Sequence, residues 1–162
     1  MTADGRKNCS DPIRIEPYTK DRIPDVLAFE RALRAEEDVW GWEIDDAYVD
    51  AVTASFDDPA FADSISLLAY RDDAVVGRID ATQIASRFDG SKKAYLDWIC
   101  VLKSARHAGV AQALMTALRR SLKACGVDTL VGLTASNEEA QRFYRALPDA
   151  QMRDTGIWID VK

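Results

Sequence analysis

The sequence predicts a mixed α/β fold: a central, mostly antiparallel sheet that gains a parallel strand at one side and is flanked by helices. Three observations carry this expectation. Residues 65–85 and 93–102 read as strands joined by short turns, residues 109–124 carry a long helical stripe, and a strand and another helix follow that stripe. The antiparallel strands therefore come first and one β-α-β crossover comes after them. With 162 residues, 48% apolar and 30% charged, the chain is long enough to bury a core as one domain.

Each element has its own signal. Residues 1–12 form a loose polar tail ahead of a single domain over 13–162, and residues 13–16 (IRIE) alternate as a short first strand. Residues 21–34 place Ile23, Val26, Leu27, Phe29 and Leu33 on a helical stripe, with Pro24 tolerated in the first turn. A second helix spans 44–56, with Tyr48, Val49 and Val52 on one side, after a bend holding Trp40, Gly41 and Trp42. Strands at 65–70 and 74–85 flank the turn signal Asp72-Asp73, residues 86–91 (SRFDGS) turn again, and 93–102 (KAYLDWICVL) form the third strand of this run. The helix at 109–124 carries Val110, Ala113, Leu114, Ala117, Leu118 and Leu122 on one face and ends at Gly126. A strand at 128–135, a helix at 137–147 capped by Ser136 or Asn137, and one or two closing strands in 152–161 complete the order.

Composition excludes several chemistries. A net charge of −6 argues against binding nucleic acid, whose phosphates need a basic surface. No apolar run approaches the roughly 20 residues of a membrane span, and residues 1–10 carry no signal-like apolar core. Three cysteines (Cys9, Cys100, Cys125) and a single histidine, His107, fit a reducing compartment, the cytoplasm. They leave no zinc knuckle and, without a G-x-S-x-G elbow, no serine triad. No G-x-x-x-x-G-K-[ST] loop is present either. The chemistry is expected to proceed without a metal or a catalytic histidine.

The most informative stretch runs from Trp98 to Val127. It contains no Asp or Glu, in a chain with 27 of them, yet holds Lys103, Arg106, Arg119, Arg120 and Lys123. At its centre, Ser104-Ala-Arg-His-Ala-Gly-Val-Ala111 joins a strand to a helix. A helix start offers unpaired N–H groups and the positive end of the peptide dipole, and small residues at Gly109 and Ala111 would let an anion approach them. A basic helix that merely begins with small residues fits the same pattern.

Here the sequence resembles the GCN5-related N-acetyltransferases (GNAT family). Tyr95-Leu-Asp-Trp-Ile-Cys-Val101 followed by Arg106-x-x-Gly109-x-Ala111 and a helix looks like that family's acetyl-coenzyme A signature. Strand 130–134, Asn137, Ala140 and Phe143-Tyr144 resemble its next strand and helix. The resemblance implies a sheet whose parallel pair splays apart, with pantetheine pairing against Ile99, Cys100 and Val101, and Ile99 N–H facing the thioester oxygen. It implies a diphosphate cradle from His107, Ala108, Gly109, Val110, Ala111 and Gln112, shaped by Arg106, with Asn137 on the cofactor arm and Phe143 beside it. Tyr144 would protonate the departing thiolate. The implied reaction is direct transfer of an acetyl group from acetyl-coenzyme A to a primary amine, of a small molecule, while both are bound.

A base must take a proton from the amine, because alkyl amines are protonated at neutral pH. Asp97, two residues before Ile99, is the first choice and Asp80 the second. Competing readings stay open: a protein N-terminus or lysine as acceptor, or a module that binds acyl-coenzyme A without turnover. Tyr144 also reads as a core aromatic, Asp97 as a strand-edge carboxylate, and Cys100 as a small buried residue or an acyl-carrying thiol. The acids Glu36, Glu37, Asp38, Glu43, Asp45 and Asp46 would suit a cationic acceptor or a solvated face, and Trp40-Gly41-Trp42 with Tyr48 either cap the first helices or wall the acceptor site. After Tyr144 the chain departs from the family's usual Leu-Gly-Phe with Arg-Ala-Leu-Pro148. An exposed closing strand would allow a homodimer.

Overall fold

The computed structural model describes residues 12–37, 43–135, 137–153 and 159. One sheet runs in the order β1 (Arg14–Pro17), β2 (Ser64–Arg71), β3 (Ala74–Ala85), β4 (Lys92–Val101), β5 (Thr129–Gly132). The first four strands pair antiparallel with their neighbours, and β5 joins β4 in parallel. The mixed sheet expected from the sequence is therefore present. Asp72 and Asp73 sit at φ 49° and 62°, the left-handed pair that a tight hairpin needs to match the twist of its strands.

Among the described residues, four α-helices flank the sheet: α1 (Ile23–Glu36), α2 (Asp46–Ser55), α3 (Val110–Ala124) and α4 (Glu138–Arg145). A 3-10 turn over Lys20–Arg22 takes up the residues before α1, so that helix begins at Ile23, the first residue of its stripe, and not at 21, and it runs on to Glu36. Asp45 caps α2 by accepting the Tyr48 N–H at 2.8 Å, and Asn137 caps α4 by accepting the Ala140 N–H at 2.9 Å. Strand alternation divides the two faces of the sheet. On one face α3 packs so closely that a Cβ at Gly77 would stand 2.9 Å from Val110 Cγ1 and 3.1 Å from Leu114 Cδ1. On the other face, Arg78 and Asp80 of β3 meet α1 through Glu30. The core is filled by Ile23, Val26, Phe29 and Leu33 from α1 and by Val110, Leu114, Met115, Leu118 and Leu122 from α3. Each large side chain buried this way contributes about 1.5–3 kcal/mol.

Two irregularities coincide on β4. Asp80 lies opposite Trp98 and Ala81 opposite Leu96, so Asp97 is the extra residue of a β-bulge. The parallel pairing with β5 runs from Lys93↔Thr129 to Leu96↔Gly132 and then stops, while β4 continues to Val101. Strand β5 is shorter than the expected 128–135 because the two strands diverge there. Met152 and Arg153 are not part of a strand, and the rest of the expected closing segment, like the tail over 1–11, Asp38, Trp40-Gly41-Trp42 and Ser136, falls outside the described residues apart from Ile159.

Candidate active site

Beyond Leu96 the β4 edge faces a cleft of about 1260 Å³, closed on its other sides by the loop into α3 and by α4. Every residue expected from the sequence to hold the donor lines it, except Ala108; Asp97 and Tyr144 line it too. The loop is shaped by two left-handed residues, His107 at φ 59° and Gly109 at φ 80°. Glycine adopts this geometry without the penalty other residues bear, and Gly109 opens α3 directly. The first N–H of α3 to reach an intrahelical carbonyl is that of Ala113, to Gly109 at 2.9 Å. The amides ahead of it form the helix's positive end, where an anion is favoured.

Arg106 does not point its charge at an open cradle. Its guanidinium binds Glu37 through two bonds of 2.8 and 2.5 Å, reaches Glu139 at 3.2 Å, and donates from Nε to the Val101 carbonyl at 3.3 Å. It therefore ties α1, β4 and α4 together around the mouth of the cleft. Glu36 holds the same loop by accepting the Ser104 N–H at 3.0 Å and its hydroxyl at 2.6 Å. These hydrogen bonds pull the Glu36 carboxyl below the usual range. Of the acids read as suiting either a cationic acceptor or a solvated face, Glu36 and Glu37 instead brace the loop into α3, and Asp45 caps α2.

Asn137 spends its side-chain oxygen on the α4 cap, which leaves the amide NH2 group as its donor toward the cleft. Gln141 fastens α4 to the chain after β5, donating to the Ala135 carbonyl at 2.9 Å and to the Thr134 hydroxyl. Tyr144 is half-buried with its ring against Phe143, centroids 5.2 Å apart. Burial raises its phenol, which keeps the proton on the oxygen at neutral pH. Burial likewise pushes the Cys100 thiol up to about 11, which favours the reading of Cys100 as a small buried residue over an acyl-carrying thiolate. His107 is an exposed loop residue with Nε2 3.8 Å from Glu139.

A second cavity of about 840 Å³ opens on the α1–α2 side of the sheet. Its wall contains a cluster from six elements or their flanks. Arg78 pairs with Asp80 at 2.7 and 3.0 Å and with Glu30 at 3.3 Å, Tyr48 donates to both Glu30 oxygens at 2.8 Å, and Ser66 donates to Asp80 at 2.5 Å. The guanidinium lies 4.8 Å from the ring centre of Tyr18 and 5.5 Å from that of Trp98. Tyr48 thus joins this wall, while its expected tryptophan neighbours are outside the described residues. Sequence reasoning missed Glu30, Arg78, Tyr18 and Ser66. One signal was available: Glu30 falls four residues after Val26 and three before Leu33, on the buried face of α1, where an acid needs a partner. Asp97 and Trp98 line both cavities, so the bulge is the place where the two meet.

The family model described as the acetyltransferase (GNAT) family matches residues 11–147. A search of curated protein sequences found no match. Among solved structures, the chain is similar to the aminoglycoside acetyltransferase meta-AAC0020 from an uncultured soil metagenomic sample (TM-score 0.77, 16% identity, 93% of this chain and 97% of that one). It is also similar to AAC(6')-Iy bound to a bisubstrate analogue, CoA-S-monomethyl-acetylneamine (TM-score 0.74, 21% identity, 94% and 99%). A third similar structure is the ribosomal-protein-alanine N-acetyltransferase of Brucella melitensis biovar Abortus 2308 (TM-score 0.72, 18% identity, 94% and 100%). At these identities the likeness speaks for the fold.

Proposed function

The chain belongs to the GNAT family of acetyltransferases, and on that premise we propose that it moves an acetyl group from acetyl-coenzyme A directly to a primary amine of a small molecule. The observation that carries this is the meeting of two cavities at the β4 bulge, one edged by bared main chain and the other walled by polar side chains. The first suits the donor. Past Leu96 the edge of β4 can pair with an extended amide-bearing arm at Ile99, Cys100 and Val101, and the amides from His107 to Gln112 can receive two phosphates at the start of α3. Arg106 shapes that loop through its ion pairs, Asn137 offers its amide, and Phe143 contributes apolar wall.

Acetyl-coenzyme A would supply an activated acyl group on sulfur. This chain's residues would supply orientation and proton transfers. Ile99 N–H is the donor placed to polarise the acyl oxygen. Asp97, exposed and shared by both cavities, takes the proton from the incoming amine. Asp80 is the poorer choice because Arg78 and Ser66 already occupy its oxygens. Tyr144, holding its proton, is suited to deliver it to the departing sulfur.

Calorimetry with acetyl-coenzyme A, followed by thiol-release assays over small amines and peptides, tests this. Binding with turnover of a small amine is expected. Binding with turnover of peptides only would move the acceptor to proteins, and binding without turnover would leave a sensor. Asp97→Asn is expected to slow turnover at least tenfold and shift its pH profile with donor affinity held; an unmoved profile would remove Asp97 from the role.

A further inference from the structure

The cleft read above as taking a polyanion is lined by more acids than cations. Glu37, Asp97, Glu138 and Glu139 stand on its wall with the guanidinium groups of Arg106 and Arg142, and His107 is exposed at its loop. Asp97 has the role proposed for it at the bulge, and Glu138 opens α4, where the helix dipole favours an acid. Glu37 and Glu139 both bind Arg106, but not in the same way. Glu37 takes both terminal nitrogens, at 2.8 and 2.5 Å, and each side chain of the pair is 24% exposed. That forked geometry, with the Nε bond to the Val101 carbonyl at 3.3 Å, already fixes the guanidinium. Glu139 adds one bond of 3.2 Å to Nη1, a nitrogen that Glu37 also holds, and its side chain is 45% exposed. As a brace it is redundant. Its charge is not, because Glu37 already neutralises Arg106. The other oxygen of Glu139 lies 3.8 Å from Nε2 of His107, the first residue of the loop whose amides would receive the phosphates.

We propose that Glu139 limits the affinity for the nucleotide: its carboxylate, held beside the phosphate-receiving loop, repels the bound phosphates and speeds the release of coenzyme A after transfer. This rests on the donor placement proposed above. Coenzyme A carries the same phosphates as its acetyl form, so amides that grip one also grip the other. Departure of the product is then the step that such a loop slows. A fixed like charge beside the shared phosphates weakens both complexes and shortens the life of each. An anion on the first amides of this loop would stand roughly one Debye length from Glu139, about 8 Å at physiological salt, so the repulsion acts there and fades as salt is raised. Glu37 works in the opposite sense. It acts through Arg106, as a positioning residue that keeps the loop in shape for the phosphates.

The test is calorimetry and stopped-flow dissociation with coenzyme A and with acetyl-coenzyme A, on the full chain and its variants. Glu139→Gln keeps an oxygen for Arg106 and removes the charge. It is expected to tighten both ligands by about three- to tenfold through slower dissociation, with most of the gain lost at about 0.5 M salt. Glu139→Ala, which also removes the bond, should share that sign, and Glu139→Asp should stay within about twofold of the wild type. Glu37→Gln is expected to weaken both ligands several-fold. A residue that only braced the loop would give weaker binding in Glu139→Gln and Glu139→Ala, with no dependence on salt. Weaker or unchanged binding in both variants, or a gain that salt does not erode, would overturn the role of Glu139 and leave the donor placement standing. A wild type that binds neither ligand would overturn that placement and this role together.

Discussion

The two cavities that meet at Asp97 are built from different materials. The cleft proposed for the donor is edged by main chain: β4 past its pairing with β5, the amides at the start of α3, and a left-handed glycine between them. The cavity proposed for the acceptor is walled by a cluster of polar side chains, brought together from the β1–α1 connection, α1, α2, β2 and β3. Main-chain sites depend on a local turn and a few small residues, so they are read from one continuous stretch. Side-chain sites depend on the tertiary fold, and their specificity can change with one substitution.

The sharpest way to break this contrast is Gly109→Glu. It forces a side chain to φ 80° and adds a negative charge where the phosphates are proposed to lie. Acetyl-coenzyme A affinity is expected to fall at least about a hundredfold by calorimetry, with the circular dichroism spectrum retained. Retained affinity would place the phosphates elsewhere. Tyr144→Phe comes next: turnover should fall by roughly 10²-fold with donor affinity within about twofold, the signature of a lost proton donor. An unchanged rate would return Tyr144 to the apolar wall.

On the other side of the bulge the expected effect is on stability. Arg78→Met leaves Glu30 and Asp80 without their shared cation and should cost about 3 kcal/mol, or roughly 6–12 °C in thermal melting. A fall of only about 1–2 °C would mean that water already screens the cluster. The smallest effect concerns Glu30 itself. Burial raises its carboxyl above the ordinary value of 4.5, against the opposing pull of Tyr48 and Arg78. A group raised in the folded chain favours the fold below its unfolded value and loses that contribution as pH rises through the folded one. Glu30→Gln should therefore remove a decline in melting temperature with rising pH that begins near 4.5. Parallel pH profiles for wild type and variant would show that Glu30 titrates normally.

The same contrast explains what the sequence revealed. Strand β3 has the bounds that alternation predicts, and α3 begins one residue from its expected start, because long periodic segments carry their own signal. The loop into α3 was legible because Arg106, Gly109 and Ala111 lie within six residues. The partners of Arg106 were not, since Glu37 is 69 residues away and Glu139 is 33 away. Nor was the triad of Glu30, Arg78 and Asp80, whose α1 member is 48 residues from its guanidinium. The stripe on α1 drew attention to its apolar members and passed over the acid among them. Asp97 was singled out for its distance from Ile99, whereas its structural distinction, an unmatched position in the ladder, belongs to the pairing of two strands and has no mark in either alone.

That unmatched position also sets the phase of everything after it. Before it, Ala94 and Leu96 face the α3 side opposite Gln83 and Ala81; after it, Ile99 and Val101 take that side opposite Ile79 and Gly77. Even-numbered residues fill the interior ahead of the kink and odd-numbered ones behind it. Excising Asp97, rather than exchanging it, would leave Leu96, Ile99 and Val101 in plain alternation on the α3 side and remove the kink itself. A change of letter there alters the chemistry, while a deletion straightens the strand and takes away the bend at which the two cavities adjoin.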